Sequence, residues 1–279
     1  MSARLASRFD VLKREGRAGL VAYVMASDPD HETCFEILRG LPAAGADVIE
    51  LGFPFTDPMA DGPSIQKAAL RALKAGGSLT RTLDLARRFR ETDKDTPLIL
   101  MGYANPIESM GYAPFAEAMH ACGADGVIIV DLPPEEDTAL RAAFDAHGLS
   151  IIRLATPTTD DNRLTKVLDG ASGFLYYVSV AGVTGANAAT ADAVRAAVSR
   201  LKRATQLPVA VGFGVREPEA AREIARTADA VVVGSAFVDE IAAAPGPEAV
   251  ERVLRKVRIL SEAVRMAREP GRAMEGTPA

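Results

Sequence analysis

The carboxylates between residues 50 and 61 are the first side chains whose type and spacing suit catalysis. Glu50 lies near the end of an apolar segment, and Asp57 and Asp61 follow it in the proline-rich segment 52–68. A buried carboxyl beside an acid-bearing loop suits general acid and base catalysis. Each residue also has a structural interpretation, because Glu50 can be ion-paired and Asp-Pro or Asp-Gly-Pro sequences commonly form turns.

Glycine-bearing segments form a second candidate site, this one for a phosphate group. They read AGVTGAN at 181–187, GFGV at 212–215 and GSAFVDEI at 234–241, and a short helix is predicted over 235–243. Glycines let the backbone approach phosphate oxygens, and free N–H groups at a helix start attract an anion. The alternative is that each glycine only permits a tight turn. The predicted phosphate contacts are Gly185, Gly214, Gly234 and Ser235, and Gly212 is also expected to let the backbone approach the oxygens. Phe213 is a further predicted substrate-binding residue.

Both candidate sites require elements that bring distant segments together. Short apolar segments alternate along the chain with stretches of helical periodicity. The apolar segments span residues 19–25, 47–52, 97–102, 126–132, 150–155, 174–179, 207–212 and 229–234. Buried parallel strands that alternate with amphipathic helices predict an α/β fold, a single (β/α)8 TIM barrel. An open doubly wound sheet is the alternative, but no GxGxxG turn follows the first strand.

In such a barrel the carboxyl ends of the strands form the catalytic mouth, where Glu50 and the glycine segments would meet. The helix-like stretch 2–15 precedes the first strand and is expected to close the bottom of the barrel. We expect residues 1–268 to form one catalytic domain and residues 269–279 to be a flexible tail. After the second strand we expect about fifteen loop residues, with Ser64 capping the next helix.

Composition and charge exclude several other classes of protein. The chain has 279 residues, of which 48% are hydrophobic and 25% charged, and its net charge is −5, all typical of a folded globular protein. No basic stripe suits nucleic acid, and the longest apolar runs fall short of the roughly 20 residues of a membrane helix. The N-terminal residues do not resemble a secretion signal. We therefore expect a cytoplasmic protein that binds neither nucleic acid nor membrane.

The cysteines and histidines give no pattern for a disulfide or a metal site. Cys34 and Cys122 are far apart and form no CxxC motif, so we expect two buried, reduced thiols. His31, His120 and His147 are scattered near predicted helix ends. A lone helical histidine is more often a surface or capping residue than a metal ligand. We therefore expect no metal and no cofactor in this chain.

Four segments together resemble the α chains of tryptophan synthase. They are ELGFPFTDPMADGPSIQ at 50–66, SVAGVTG at 179–185, GFGV at 212–215 and VGSAFV at 233–238. The resemblance implies a lyase of L-tryptophan biosynthesis. Its reaction is the retro-aldol cleavage of indole-3-glycerol phosphate to indole and glyceraldehyde 3-phosphate. The resemblance also implies a partner, the β chain that carries pyridoxal phosphate, in an αββα heterotetramer.

The same resemblance implies roles for individual residues. Glu50 corresponds to the catalytic acid and base, and Asp61 to the carboxylate that contacts the indole nitrogen. Thr184 corresponds to a residue that hydrogen-bonds the aspartate of the second loop. The implied indole pocket consists of Tyr23, Met101, Ile128, Leu154 and Tyr176. The implied contacts with the β chain are Asp57 and the segment 103–107, which includes Asn105, Pro106 and Ile107.

Two alternative functions share this fold. A stand-alone indole-3-glycerol phosphate lyase would keep both carboxylates and release indole without a β chain. A non-catalytic barrel subunit would only activate a partner, but the presence of both Glu50 and Asp61 argues against it. The chain also departs from the commoner family pattern, which often has Pro and Gly at the positions of Ala22 and Ser27. The family often has Arg-Ser at 180–181, where this chain has Val-Ala.

Overall fold

The barrel consists of strands that alternate with helices along the chain. A computed structural model describes residues 2–179, 188–212, 214–244 and 246–268. Its strands are β1 Gly19–Met25, β2 Val48–Gly52, β3 Leu98–Gly102, β4 Gly126–Ile129, β5 Ser150–Ile151, β6 Arg153–Ala155, β7 Leu175–Val178, β8 Val209–Gly212 and β9 Ala230–Val233.

Helices surround these strands. They are α1 Ala3–Arg14, α2 His31–Ala44, α3 Pro63–Lys74, α4 Leu79–Thr92, α5 Ala104–Met110, α6 Tyr112–Ala121, α7 Thr138–Ala146, α8 Asp161–Leu168, α9 Ala188–Ala204, α10 Pro218–Ala225, α11 Ser235–Ala242 and α12 Gly246–Arg265. Short 3-10 helices span Pro134–Glu136 and Met266–Arg268.

The strands form one parallel sheet whose two edges are consecutive pieces of chain. The order is β5-β4-β3-β2-β1-β9-β8-β7-β6. Only Ile152 separates β5 from β6, and its backbone N–H donates to the Val127 carbonyl at 3.0 Å. β5 and β6 together occupy the fifth predicted strand segment, 150–155. The predicted (β/α)8 barrel is therefore confirmed, with its fifth strand divided in two.

Successive strand residues face opposite layers of the core. On β2, Val48 packs in the barrel interior, whereas Ile49 and Leu51 pack against the surrounding helices. Phe9 of α1 also lies in the interior layer, where its ring centroid is 5.7 Å from that of Phe174. The N-terminal helix therefore closes the bottom of the barrel, as its sequence predicted.

Three aspartates bind neighbouring strands together at the bottom of the barrel. Asp47, Asp125 and Asp229 precede β2, β4 and β9, and each carboxylate accepts a backbone N–H from the start of the preceding strand at 2.8–3.0 Å. Asp125 also meets the Arg90 guanidinium at 3.2 Å. Hydrogen bonds to an ionised carboxylate are stronger than those between neutral groups. These contacts fix the relative positions of the strands, and with them the mouth that contains Glu50.

One helix start differs from the sequence prediction. Asp30 caps α2 by accepting the Thr33 backbone N–H at 2.9 Å. In contrast, α3 begins at Pro63 with Gly62 as its N-cap, so the predicted Ser64 cap is wrong. Proline suits the first helical position because the N–H that it lacks would have no partner inside the helix. The loop after β2 therefore spans only 53–62, and the predicted length of about fifteen residues is wrong.

Candidate active site

Glu50 lies on the inner face of β2, near the carboxyl end of the strand. It is in register with Tyr23 of β1 and Ile99 of β3, and only 1% of its surface is exposed. Among the described residues, its Oε1 atom has no hydrogen-bond partner. Burial raises the pKa of this carboxyl to about 8, because a charged group loses its hydration in an apolar interior. Glu50 is therefore mostly protonated at neutral pH and has a proton to donate.

Two buried tyrosines lie close to this carboxyl. Burial raises the pKa values of Tyr23 and Tyr176 well above the usual 10.0, and the charge of Glu50 contributes to both increases. Two glycines provide the space for the tyrosine hydroxyls. A Cβ atom would lie 2.3 Å from the Tyr23 hydroxyl at Gly52 and 2.9 Å from the Tyr176 hydroxyl at Gly212. A larger residue at Gly52 would therefore displace Tyr23 from the site. At Gly212 the added atom would first meet Val232, whose Cβ lies at 2.6 Å and whose backbone carbonyl lies at 2.8 Å.

Asp61 lies half-buried in the loop 53–62. Burial raises its pKa to about 6, and a hydrogen bond from the Tyr103 hydroxyl opposes that increase. The same hydroxyl accepts the Ala60 backbone N–H at 3.0 Å, which attaches the loop to the residue that follows β3. Asp61 is therefore mostly ionised at neutral pH, unlike Glu50. Tyr103 was predicted only as part of the partner segment 103–107, and its contact with the Asp61 loop was not foreseen, although its position directly after a predicted strand was a usable signal.

Tyr23 lies close to both carboxyls. After burial, the charges of Asp61 and then Glu50 are the next causes of its raised pKa. The structure therefore brings together the two predicted catalytic residues, which belong to a strand and to the loop that follows it. Their protonation states differ at neutral pH because Glu50 is the more deeply buried of the two.

The other predicted pocket residues line the inner face of the barrel. Met101, Ile128, Leu154 and Tyr176 all pack in the interior layer of the core. Met101 is in register with Ile128 on the next strand, and Leu154 with Tyr176. Met101 also packs against the group of side chains that contains Tyr23. These residues form an apolar surface that suits a flat aromatic group.

The predicted phosphate residues fall partly within the described chain. Gly234 is the N-cap of α11, which begins at Ser235 as the sequence predicted. Gly214 follows β8 and has a φ of 72°, a backbone conformation that favours glycine. Because β8 and β9 are paired neighbours, the loops that follow them start side by side at the mouth. Thr184, Gly185 and Phe213, like Val180, Ala181 and the tail 269–279, lie outside the described residues.

The predicted partner residues are accessible, with two corrections. Asp57 and Asn105 are exposed and Pro106 is half-buried, but Tyr103 and Ile107 of the predicted segment 103–107 are buried. The prediction that these two side chains contact a partner is therefore wrong, because Tyr103 packs under the loop 53–62 and Ile107 packs into the core. Met59, which follows Asp57 in the same loop, is 76% exposed. The two segments are adjacent, since the loop 53–62 is bonded to the residue before α5.

Both cysteines are free thiols buried in the core, as predicted. Cys34 donates to the Met25 carbonyl at 3.5 Å, and burial raises the pKa of its thiol to about 12, so it is unreactive at neutral pH. Within the described ranges, no group of three or more His, Cys, Asp or Glu side chains is placed to hold a metal ion. No helix of that part of the chain is long and apolar enough to cross a membrane.

Comparisons with known proteins agree with the resemblance in the four sequence segments. The family described as "Tryptophan synthase alpha chain" matches residues 9–267. The tryptophan synthase alpha chain of Caulobacter sp. strain K31 is 58% identical over 267 residues, which cover 95% of this chain and 97% of the relative. The chain belongs to the tryptophan synthase alpha chain family. The Phenylobacterium zucineum family member is likewise 58% identical over 274 residues, 98% of this chain and 99% of its own.

Solved structures of tryptophan synthase alpha chains share this barrel. Subunit alpha from Legionella pneumophila str. Paris matches with a TM-score of 0.88 at 39% identity, over 95% of this chain and 98% of that one. A chain of tryptophan synthase from M. tuberculosis matches with a TM-score of 0.85 at 31% identity, over 95% and 99%. As a member of this family, the protein is a lyase that cleaves indole-3-glycerol phosphate in tryptophan biosynthesis. The predicted function is therefore confirmed.

Proposed function

We propose that Glu50 transfers the protons, and Asp61 stabilises the positive charge, in the cleavage of indole-3-glycerol phosphate. Breaking the carbon–carbon bond requires a proton on indole C3, which puts positive charge on the ring nitrogen. Removal of the proton from the side-chain hydroxyl then turns that carbon into the aldehyde of glyceraldehyde 3-phosphate. The electrons of the broken bond return to the ring, and neutral indole is released.

The buried carboxyl of Glu50 is the observation that carries this proposal. With a pKa of about 8, it holds a proton at neutral pH and can deliver that proton to C3. The carboxylate that remains then takes the hydroxyl proton. Glu50 acts first as an acid and then as a base, and it ends the reaction protonated, as it began.

Asp61 suits the second role because it is mostly ionised at the same pH. Its pKa of about 6 leaves a carboxylate that can accept a hydrogen bond from the ring N–H. The positive charge on that nitrogen develops only as C3 is protonated, so the contact lowers the barrier more than it strengthens substrate binding. Two carboxyls whose environments separate their pKa values are a common basis for dividing acid and base roles.

We assign the two ends of the substrate to opposite sides of the mouth. The indole ring would lie on the apolar surface formed by Tyr23, Met101, Ile128, Leu154 and Tyr176. The phosphate would lie at the N-terminus of α11, where free N–H groups and the helix dipole attract an anion. Its proposed contacts are Gly185, Gly214, Gly234 and Ser235, and Phe213 is a further proposed substrate-binding residue. We propose that Thr184 holds the Asp61 loop closed over the bound substrate.

The proposed partner is a β chain that carries pyridoxal phosphate. It would dock on the surface formed by Asp57, Asn105 and Pro106, and form an αββα complex in which indole passes between the two sites. The exposed Met59 beside Asp57 supports this choice, because a methionine adapts to an apolar partner surface. We further propose that residues 1–268 form a single domain followed by a tail at 269–279, and that the enzyme is cytoplasmic.

The test is indole release by the purified chain, alone and with the β chain of the same organism. We expect strong activation and co-elution of the two chains. Asp57→Lys should weaken the activation, whereas Glu262→Lys, on an exposed site of α12, should not. High turnover of the chain alone, without co-elution, would refute the proposed partner and identify a stand-alone lyase. No indole under either condition would refute the catalytic proposal.

A further inference from the structure

Helix α3 follows the proposed Asp61 site directly in the chain. Only Gly62 lies between Asp61 and Pro63, the first residue of the helix. In the first turn of α3, the side-chain amide of Gln66 donates to the Asp61 carbonyl at 3.0 Å. It also donates to the Pro58 carbonyl of the same loop, at 3.5 Å. The position of Asp61 therefore depends on the position of α3.

The buried face of α3 consists of small side chains. Ala68, Ala69 and Ala72 are almost fully buried. They pack in one group with Tyr23 of β1 and Val238 of α11. Alanine has no side chain beyond Cβ, so this face carries no long ridge that interlocks with a neighbouring element. Apolar packing therefore fixes the height and rotation of this helix less strongly than larger side chains would.

A buried ion pair supplies a directional contact instead. Arg71 of α3 donates from Nε and Nη2 to the two carboxylate oxygens of Asp28, both at 2.7 Å. Asp28 lies in the loop after β1 and is fully buried, whereas the Arg71 side chain is 30% exposed. Two parallel hydrogen bonds between a guanidinium and a carboxylate fix distance and orientation together. The pair therefore sets where α3 lies relative to β1.

This carboxylate lies beside the proposed site without serving either of its catalytic carboxyls. Among the described residues, Arg71 provides the only hydrogen bonds to the Asp28 side chain. Burial raises the pKa of Asp28, and the contact with Arg71 opposes that increase. The charge of Asp28 also contributes to the raised pKa of Tyr23, a residue of the proposed indole pocket. The buried pair therefore lies next to the pocket, at the base of the helix that carries the Asp61 loop.

We propose that Arg71 is a positioning residue for the cleavage of indole-3-glycerol phosphate. By holding α3 against Asp28, it keeps the Asp61 carboxylate where it can accept the ring N–H. The inference rests on the proposed role of Asp61, and it adds a residue that acts without touching the substrate. A misplacement of about 1 Å caused by a remote substitution can lower a rate by about 100-fold. The contact therefore affects turnover although it is remote from the bond that breaks.

The test is a double-mutant cycle on indole release by the full chain with the β chain of the same organism. Arg71→Gln should lower kcat by about tenfold and leave KM within about twofold, because the proposed phosphate and indole contacts are unchanged. In the Asp61→Asn background, Arg71→Gln should lower kcat by less than about threefold, because the two residues act through one contact. Arg71→Lys should lose less than Arg71→Gln, because it keeps the charge beside Asp28.

The matched control is Arg252→Gln on α12. Arg252 makes a similar two-point contact, donating from Nε to Glu240 at 3.0 Å and lying 2.8 Å from it through Nη2. Its side chain is 33% exposed, close to the exposure of Arg71. This variant should change neither kcat nor KM, because its partner lies in the last turn of α11 and not beside the Asp61 loop.

A second variant covers the case in which Arg71→Gln does not fold. That substitution leaves the buried Asp28 carboxylate without a cation, which is strongly destabilising. The combined variant Asp28→Asn/Arg71→Gln leaves no buried charge unpaired. It should fold and show a similar loss of kcat, because two amides lack the charge-assisted contact.

Three results would overturn the proposal. Full turnover of the folded Arg71 variants would show that the pair only stabilises the fold. An equal loss with and without Asp61 would show that Arg71 acts independently of that carboxylate. A loss that disappears at saturating β chain would show that Arg71 acts through docking. Full turnover of Asp61→Asn would instead refute the proposed role of Asp61, and the inference with it.

Discussion

Replacing Glu50 by glutamine tests the central residue in two independent ways. The amide keeps the volume and polarity of the carboxyl, but it can neither donate an acidic proton nor accept one. If Glu50 transfers both protons, indole release should fall by at least about 100-fold, the usual contribution of general acid and base catalysis. Substrate binding should be retained, because the proposed indole and phosphate contacts are unchanged.

The same substitution should change how stability depends on pH. The pKa of Glu50 is raised from 4.5 to about 8, so between these values the folded chain holds a proton that the unfolded chain releases. The free energy of unfolding therefore falls as pH rises through this window, by about 1.4 kcal/mol per pH unit. The full window corresponds to at most about 5 kcal/mol. Glu50→Gln removes this loss, so the variant should gain stability relative to wild type as pH rises.

Urea unfolding at pH 5.5 and pH 8 measures this effect. Any cost of burying the glutamine amide is the same at both pH values, so the informative quantity is the change in the difference between variant and wild type. We expect that change to be about 3 kcal/mol in favour of the variant at pH 8. Glu117→Gln, at an exposed glutamate of α6, is the matched control and should show no such change. A flat difference across pH, or a variant that keeps most of its activity, would refute the reasoning.

Three further substitutions test other parts of the molecule. Asp61→Asn should lower the turnover of indole release by a factor of roughly 10² to 10³, because an amide accepts a hydrogen bond without balancing the ring charge. A variant with a higher KM and unchanged turnover would contradict this role. Ser235→Asp should weaken binding of glycerol phosphate by about 1 to 3 kcal/mol through repulsion of like charges, and unchanged affinity in calorimetry would remove Ser235 from the phosphate site. Asp125→Ala should lower the free energy of unfolding by about 3 kcal/mol, because the Leu98 N–H loses its acceptor and the Arg90 guanidinium keeps only backbone carbonyls and the more distant Asp93. If denaturant unfolding gives the variant nearly the same free energy of unfolding as wild type, the contacts of Asp125 do not stabilise the barrel.

The candidate site was largely visible in the sequence because its residues stand at strand ends. A parallel barrel brings all strand ends to one mouth, so Glu50 and the glycine segments were expected to meet once the strands were recognised. Met101 and Ile128 were assigned to the pocket by the family resemblance, because by themselves they would be interpreted as core residues. Tyr103 and Gly52 escaped this reasoning. Tyr103 acts through a loop that folds back onto it, and Gly52 matters only because a tyrosine from the neighbouring strand occupies the space beside it.

The order of the amino acids is enough to predict the alternation of strands and helices, the barrel that follows from it, and the two carboxyls that the chemistry requires. Periodicity and turn residues are local properties, so they can be read from neighbouring positions. The protonation of Glu50 and the ionisation of Asp61 at neutral pH depend instead on the folded chain, because burial depends on atoms that distant segments supply. The division of the fifth strand at Ile152 likewise depends on how neighbouring strands pair, which no single segment encodes.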